Sequence, residues 1–377
     1  MSRRVLILGA GFGGLEIATL LSRQGGGEIE VTLIDRGEGF VFGFSKLELL
    51  FGRASVEQVR IPYSELDQPG VRMVRETITA IDPEARRVST DGGEYEGEAM
   101  VIALGADYDF EATPGLREGG EEFYSVAGAE RAAVAVASFE RGNAVIGVCG
   151  APFKCPPAPS ECALLLADEL RSRGVRDQCS LSVAIPFGSP VPPSPETSAA
   201  LENEFEARGI ELLAGRRVAA LDPARRVAVL DDDRELPYDL FLGVPRHCAP
   251  DVVLASGAAE DGYVPVDPAT LRTRFPGVYA VGDVATAGVP KAGVFAEGAG
   301  RIVAQSLLAE LLGAEPPGRH LGQGTCYIEF GEGRVASVDI DFLSGPERTG
   351  TFNAPSAALV AEKEGFGSSR RARWFGS

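Results

Sequence analysis

Two cysteines and a lysine set the chemical question. In PFKCPPAPSE (152–161), Cys155 follows Lys154, precedes two prolines and stands just before an apolar helix carrying Glu161. A helix N-terminus and an adjacent ammonium both lower a thiol's pKa, so these surroundings predict a reactive thiolate at Cys155. Cys326, in GTCYIEFG (324–331), is a second candidate on a short strand–turn–strand segment near the end of the chain. Cys149, Cys162 and Cys179 read as packing residues. Six cysteines with no CxxC pair, and only two histidines, make no zinc pattern. In a chain this size they do not form a secreted disulfide framework either, so the chemistry expected of them is catalytic or redox.

The elements that must position these residues begin at the N-terminus. RVLILGAGFGGLEIATLLSR reads as a strand, Gly9-x-Gly11-x-x-Gly14 and a helix, and IEVTLIDRG as a second strand ending at Asp35. Gly9 permits the tight turn, Gly11 lets a pyrophosphate approach, and Gly14 lets helix and strand pack. The helix N-terminus faces the phosphates and the acid takes a ribose hydroxyl. Far along the chain, VYAVGDV places Gly282–Asp283 at a strand end before a helix. That segment resembles the second FAD motif of flavoproteins with two dinucleotide domains, and MVIALGADY (100–108) resembles their crossing signature. Three such motifs in order predict FAD.

The chain also repeats itself. VRMVRETITAIDPEARRVSTDGGEYEGEAMVIALGA matches IELLAGRRVAALDPARRVAVLDDDRELPYDLFLGVPR, with Asp82 over Asp222 and Gly105 over Pro245. The same offset brings Gly9 to Cys149, Gly11 to Ala151 and Gly14 to Lys154. A second nucleotide-binding plan is therefore inserted into the first, and it has lost its glycines. Its prolines remove the backbone donors a pyrophosphate needs, and its second strand ends in no acid or arginine. The expectation is a cradle converted from nucleotide binding to cysteine chemistry.

Together PFKCPPAPSE and GTCYIEFG resemble the sulfide-oxidising branch of the pyridine-nucleotide-disulfide reductase-like flavoproteins, which comprises sulfide:quinone oxidoreductase and the flavoprotein subunit of flavocytochrome c sulfide dehydrogenase. The resemblance runs over essentially the whole chain, including PKAG (290–293), GVPRHCAP (243–250) and the closing SRRARWFG. It implies an α/β fold of two nested Rossmann-like, glutathione-reductase-like domains with a short C-terminal α+β interface region. Residues 1–107 and 246–318 would bind FAD, 108–245 would form the second Rossmann-like domain, and 319–377 would be the interface and tail. It implies a redox disulfide between Cys155 and Cys326 that sulfide attacks, with electrons leaving through FAD to a quinone or other acceptor. Lys154, Glu161 and His247 would join that chemistry. To FAD it assigns Gly9, Gly11, Phe12, Gly13 and Gly14, then Asp35, Arg36, Ser45, Lys46 and Ile78. It adds Ala103, Leu104 and Gly105, then Gly282, Asp283, Lys291, Ala292 and Gly293. The loop after the second strand, GFVFGFSKLELLFG, has no cysteine, so the expected FAD is non-covalent. The third catalytic cysteine of many quinone-linked members also has no evident counterpart, since the only one upstream is Cys149.

Two residues carry alternatives. His247 is either a proton carrier or an imidazole satisfied by loop carbonyls. Lys291 either faces the flavin's pyrimidine edge or is solvated. The whole-chain balance narrows the partners. A formal charge of −18, with only four lysines among 377 residues, speaks against nucleic acid. No 18-residue apolar run marks a membrane helix. The N-terminus reads as a strand rather than a signal peptide, giving the expectation of a cytoplasmic protein. The tail, with Arg370, Arg371, Arg373, Trp374 and Phe375, either meets a membrane surface, placing the protein peripherally on its inner face, or docks back on the fold. Two rival activities remain: a type II NAD(P)H dehydrogenase-like flavoprotein, and a flavin-containing redox sensor without turnover.

Overall fold

The computed structural model describes residues 2–376. Strand β1 (Arg3–Leu8) leads through Gly9 and Gly11 into helix α1 (Phe12–Gln24), and β2 (Ile29–Ile34) returns beside β1 in parallel. Val5, Leu6, Ile7 and Leu8 are all buried, as expected of a parallel strand covered on both faces. Helix α2 (Ser45–Leu50) packs against the helix Val126–Ser138, β3 (Val71–Val74) joins β2, and β4 (Ala99–Ile102) joins the other side of β1.

The chain crosses out at β5 (Asp107–Asp109) and builds a second sheet. It contains β6 (Glu121–Glu122), β7 (Gly142–Val148), β8 (Cys179–Ile185), β9 (Ile210–Ala214) and β10 (Leu240–Val244). Their spatial order is β6–β10–β7–β8–β9 and every pairing is parallel. Between β7 and β8 runs α3 (Ala158–Ser172), an apolar helix buried along most of its length. Strand β11 (Arg246–Cys248) crosses back antiparallel to β5, and β12 (Val278–Ala280) completes the first sheet in the order β12–β4–β1–β2–β3. Helix α4 (Gly293–Leu312) then lies along α1. A three-stranded antiparallel sheet follows, β13 (Gln323–Gly331), β14 (Arg334–Asp341) and β15 (Thr349–Ser356), and helix α5 (Ala358–Phe375) closes the fold.

The repeat seen in the sequence recurs in the backbone. Each parallel sheet has an antiparallel three-stranded meander, one over Ile78–Glu96 and one over Val218–Pro237. Both carry the same bulge, at Ile78/Ala80 and Val218/Ala220, and both turn on an arginine at φ 52°, Arg86 and Arg226. One expectation fails locally. Gly282–Val284 forms a single 3₁₀ turn rather than the start of a helix, and α4 begins only at Gly293. Gly288 at φ +75° and Pro290 interrupt any earlier helical start.

The first turn is tightly built. Gly9, at φ +104°, lies against the Ala103 carbonyl, and a β-carbon on Gly14 would run into the Gly9 carbonyl oxygen. A β-carbon on Gly11 would stand in open space. Gly14→Ala should therefore destabilise the cofactor-free protein by about 2 kcal/mol, seen as a lower urea midpoint at unchanged m-value. Gly11→Ala should leave that midpoint in place.

Candidate functional site

The first cradle lies at the carboxyl ends of β1, β2 and β4. Asp35 Oδ2 accepts from Ala10 N at 2.8 Å and Oδ1 from Gly37 N at 2.7 Å, while Tyr63 donates to the Ala10 carbonyl at 2.9 Å. Helix α1 has no capping side chain and no acid in its first turn, so its end amides are free for an anionic group. The open space before Gly11 is where a phosphate would fit, and these residues suit a dinucleotide. Ala103, Leu104 and Gly105 (φ +70°) follow β4 at the same edge, and Ile78 packs on the cluster beneath it with Leu8, Ile34 and Ile102. Phe12 covers Gly293, so α1 and α4 start side by side, next to Gly13, Gly282 and Ala292. Arg36 is exposed and Ser45 buried.

Three of the four lysines crowd one carboxylate. Burial raises the Asp283 pKa, with Lys154, Lys291 and Lys46 pulling against it. Lys291 Nζ donates to the Asp283 carbonyl at 2.5 Å and sits 3.5 Å from the Tyr263 ring centroid. It is buried rather than solvated. Burial pushes Lys46 and Lys291 down to about 8, and lowers Lys154 as well. Glu122 is a second carboxylate facing Lys46 and Lys154. Three ammonium groups against two buried acids leave positive charge for an anion to satisfy.

The two nested units meet at Cys155. Lys154 and Lys291 form a parallel bridge, and Cys155 N donates to the Lys291 carbonyl at 2.8 Å. Cys155 takes a left-handed backbone, φ 47°, and its carbonyl accepts from Ala158 N at the start of α3. Cys326, from β13, packs against the same apolar cluster. Both are free cysteines and both are half-buried. Glu161 stands with them, its Oε1 accepting from Glu329 N at 2.9 Å. Burial pushes the Glu161 carboxyl up to about 7, against the pull of Lys363.

The thiolate expected from the Lys154 neighbourhood is not what this geometry gives. Lys154 turns away, donating to the Ala106 carbonyl at 2.7 Å and Tyr108 Oη at 3.1 Å. Burial, then Glu161, then Cys326 push the Cys155 thiol well up, and burial pushes Cys326 up to about 12. Reduced and unperturbed, this pair is held as neutral thiols. Cys149, Cys162 and Cys179 are buried.

His247, fully buried on β11, shares Nδ1 with the Pro245 carbonyl at 2.8 Å. Burial and then Lys154 push its pKa down to about 3, so the imidazole is neutral. Its Nε2 has no hydrogen-bond partner, nor has the buried Tyr124 hydroxyl. Tyr108 and Tyr124 flank the imidazole edge-on at 4.9 and 5.3 Å between centroids. Cys155 and Glu161 both bear on the Tyr124 phenol, adding to the upward push that burial gives it. Sequence reading passed over Tyr124, Tyr108 and the buried Lys363–Glu329 ion pair. No spacing motif joins them, because each comes from a different element.

A cavity of about 350 Å³ opens between the loop before α2, the β13–β14 turn and α5, lined in part by Phe42, Phe44, Arg53, Glu329 and Lys363. Of the two readings of the tail, the structure has the docked one. Trp374 and Phe375 are buried, and Arg370 and Arg373 pair with buried carboxylates, so these side chains present no lipid-facing patch. Among the described residues no helix is long and apolar enough to cross a membrane.

A family model described as pyridine nucleotide-disulphide oxidoreductase matches residues 3–300. The mitochondrial sulfide:quinone oxidoreductase of Mus musculus is 26% identical over 367 residues, covering 93% of this chain and 80% of the relative. The solved sulfide:quinone oxidoreductase of Aquifex aeolicus superposes with a TM-score of 0.88 at 22% identity, over 99% of this chain and 92% of that one. An alternative NAD(P)H-ubiquinone oxidoreductase of Arabidopsis thaliana is 28% identical over 250 residues, but covers 61% of this chain and 47% of the relative.

The charge beside the thiols can be tested. Ionised Glu161 disfavours the Cys155 thiolate, so Glu161→Gln should lower the thiol's pKa. In the reduced protein, alkylation of Cys155 at pH 8 should then run several-fold faster than in wild type, as followed by mass spectrometry. An unchanged rate would mean burial alone sets the thiol.

Proposed function

The chain belongs to the pyridine nucleotide-disulphide oxidoreductase family, and on that premise we propose that it is an FAD-dependent oxidoreductase that oxidises sulfide through Cys155 and Cys326 and delivers the electrons to a quinone. The observation that supports this reading is that Cys155 and Cys326, remote in sequence, pack on one apolar cluster with Glu161 bearing electrostatically on both, while Cys155 is bonded to the Lys291 loop of the dinucleotide unit. The sulfide:quinone oxidoreductase relatives span nearly the whole chain, whereas the NAD(P)H-linked relative spans much less. On the same reading, residues 1–107 and 246–318 serve the cofactor, 108–245 form the second nucleotide-type domain, and 319–377 complete the site.

In its oxidised state the pair would be a disulfide. Hydrosulfide attacks one sulfur, the S–S bond breaks, and the products are a persulfide on one cysteine and a thiolate on the other. Glu161, with its pKa near 7, is placed to take up and return a proton beside both sulfurs. Lys46, Lys154 and Lys291 would face the cofactor with positive charge, and Gly9–Gly14 and Asp35 would hold its phosphates and ribose. FAD, when bound, supplies the two-electron relay between the sulfur and the acceptor. The cavity walled by Phe42, Phe44 and the Lys363–Glu329 pair offers an acceptor both an apolar surface and a charged, hydrogen-bonding rim.

The second cradle does not favour NADH. Pro186 and Phe187 follow β8 where Asp35 and Arg36 follow β2, and Phe187 stacks on the buried Phe153 at 5.7 Å. Prolines 156 and 157 withhold the amides a pyrophosphate would use.

Anaerobic mixing of the FAD-loaded protein with sulfide, and separately with NADH, decides the matter by flavin absorbance. Sulfide should bleach the flavin rapidly, and Cys155→Ala or Cys326→Ala should slow that at least 100-fold (about 2.7 kcal/mol of barrier). Fast bleaching by NADH would overturn the reading.

A further inference from the structure

Two acids are buried where a dinucleotide site would tolerate them least. Glu16 is the fifth residue of α1 and Glu297 the fifth of α4, and both are 1% exposed. Each therefore lies one turn behind a helix N-terminus that opens on the cradle. The two helices touch through glycine, with Gly300 against the Gly13 carbonyl and Phe12 over Gly293, so the charges are held together. Only Arg301 of the surrounding fold bridges them, reaching Glu16 at 2.9 Å and also Glu297. One guanidinium against two carboxylates leaves a negative charge behind the helix ends that should attract phosphate.

The tail supplies the remainder. Arg370 reaches Glu297 at 3.0 Å, Arg373 reaches Glu16 at 2.8 Å and Glu297 at 2.5 Å, and the Trp374 indole donates to Glu16 at 2.7 Å. The indole ring stands edge-on to Phe12 and Phe40, with centroids 5.6 and 5.4 Å away. Gln68 and Arg23 bind the Trp374 and Arg373 carbonyls at 2.9 and 2.7 Å and fix the end of α5. Burial works to raise the Glu297 pKa, but the Arg370 and Arg373 guanidiniums outweigh it and hold the carboxyl below its usual range.

We propose that the end of α5 is a latch on the cofactor site: Arg373 and Trp374 are positioning residues that neutralise Glu16 and Glu297 and clamp Phe12, and so set the affinity for FAD. The inference rests on the FAD reading above. Neither residue touches the cradle itself; both act through the two acids and the aromatic ring at the start of α1.

The full-length protein, stripped of FAD by acid and salt, is titrated with FAD while flavin fluorescence is followed. Arg373→Gln should weaken binding about tenfold at low salt and less at high salt, because Glu16 is then left with Arg301 alone, which it shares with Glu297, and its uncompensated field at the phosphates is screened. In a Glu16→Gln/Glu297→Gln background the same substitution should change the Kd less than twofold, since there is no charge left to neutralise. Unchanged affinity in Arg373→Gln overturns the latch. An equal loss in both backgrounds also overturns it, because Arg373 would then be attracting the phosphates directly. Should Arg373→Gln fail to fold, Trp374→Phe reads the same question: it should weaken FAD about threefold in the native background and not when Glu16 is Gln. A wild-type chain that takes up no FAD sinks the flavoprotein reading and the latch with it, whereas tight wild-type binding beside unaffected variants sinks the latch alone.

Discussion

The backbone hydrogen bond from Cys155 to the Lys291 carbonyl joins the two nested units at the strand-end edges that carry the proposed site. Parallel sheets present their strand ends, and the loops that follow them, at one edge. Here two such edges face each other, so the loop after β7 and the loop before α4 become one short ladder. Cys155 sits in that ladder with a left-handed backbone. On the proposed reading, sulfur chemistry at Cys155 in one unit would address a cofactor held by the other across this single ladder.

Charge is arranged around that junction in two opposed groups. Lys46, Lys154 and Lys291 surround Asp283 on the dinucleotide side, while Glu161 and Glu329 stand on the side of the cysteines and α5. Each group is desolvated, so each is held by its partners more than by water. The consequence for the cysteines is the reverse of what their neighbours in the chain suggest. Lys154 precedes Cys155 but serves the other group, and burial, reinforced by the carboxylate six residues later, keeps the thiol protonated.

How much of this was legible in the sequence follows from how local each signal is. Gly9, Gly14 and Asp35 were readable because a single turn needs them at fixed spacing. The repeat was readable because each copy is continuous, and its equivalence extends to the φ of Arg86 and Arg226. Cys155 stood out by type and by its proline and lysine neighbours, and Cys326 by its place on a short strand–turn–strand segment near the end of the chain. Side-chain direction was not legible: nothing in the order Lys154–Cys155 says that one points to Tyr108 and the other to Glu161. Nor was Tyr124, whose place depends on three elements converging, or the choice between a docked and an exposed tail. That choice turned on Glu16 and Glu297, two acids on helix faces that would ordinarily be read as solvated. The delayed start of α4 escaped because Gly288 and Pro290 act after a strand end that matched its motif.

The disposition of the four lysines has a consequence for how the molecule presents itself to its surroundings. Each is engaged within the fold, three around Asp283 and one on Glu329. The positive charge on the outer surface is therefore carried by arginine, whose guanidinium stays protonated at any pH a cell offers. The exterior keeps a fixed cationic pattern within a strongly acidic coat, while the amines able to gain or lose a proton in mild alkali, Lys46 and Lys291, are inside. Among the described residues, reagents and enzymes that mark proteins at lysine side chains would find little to hold.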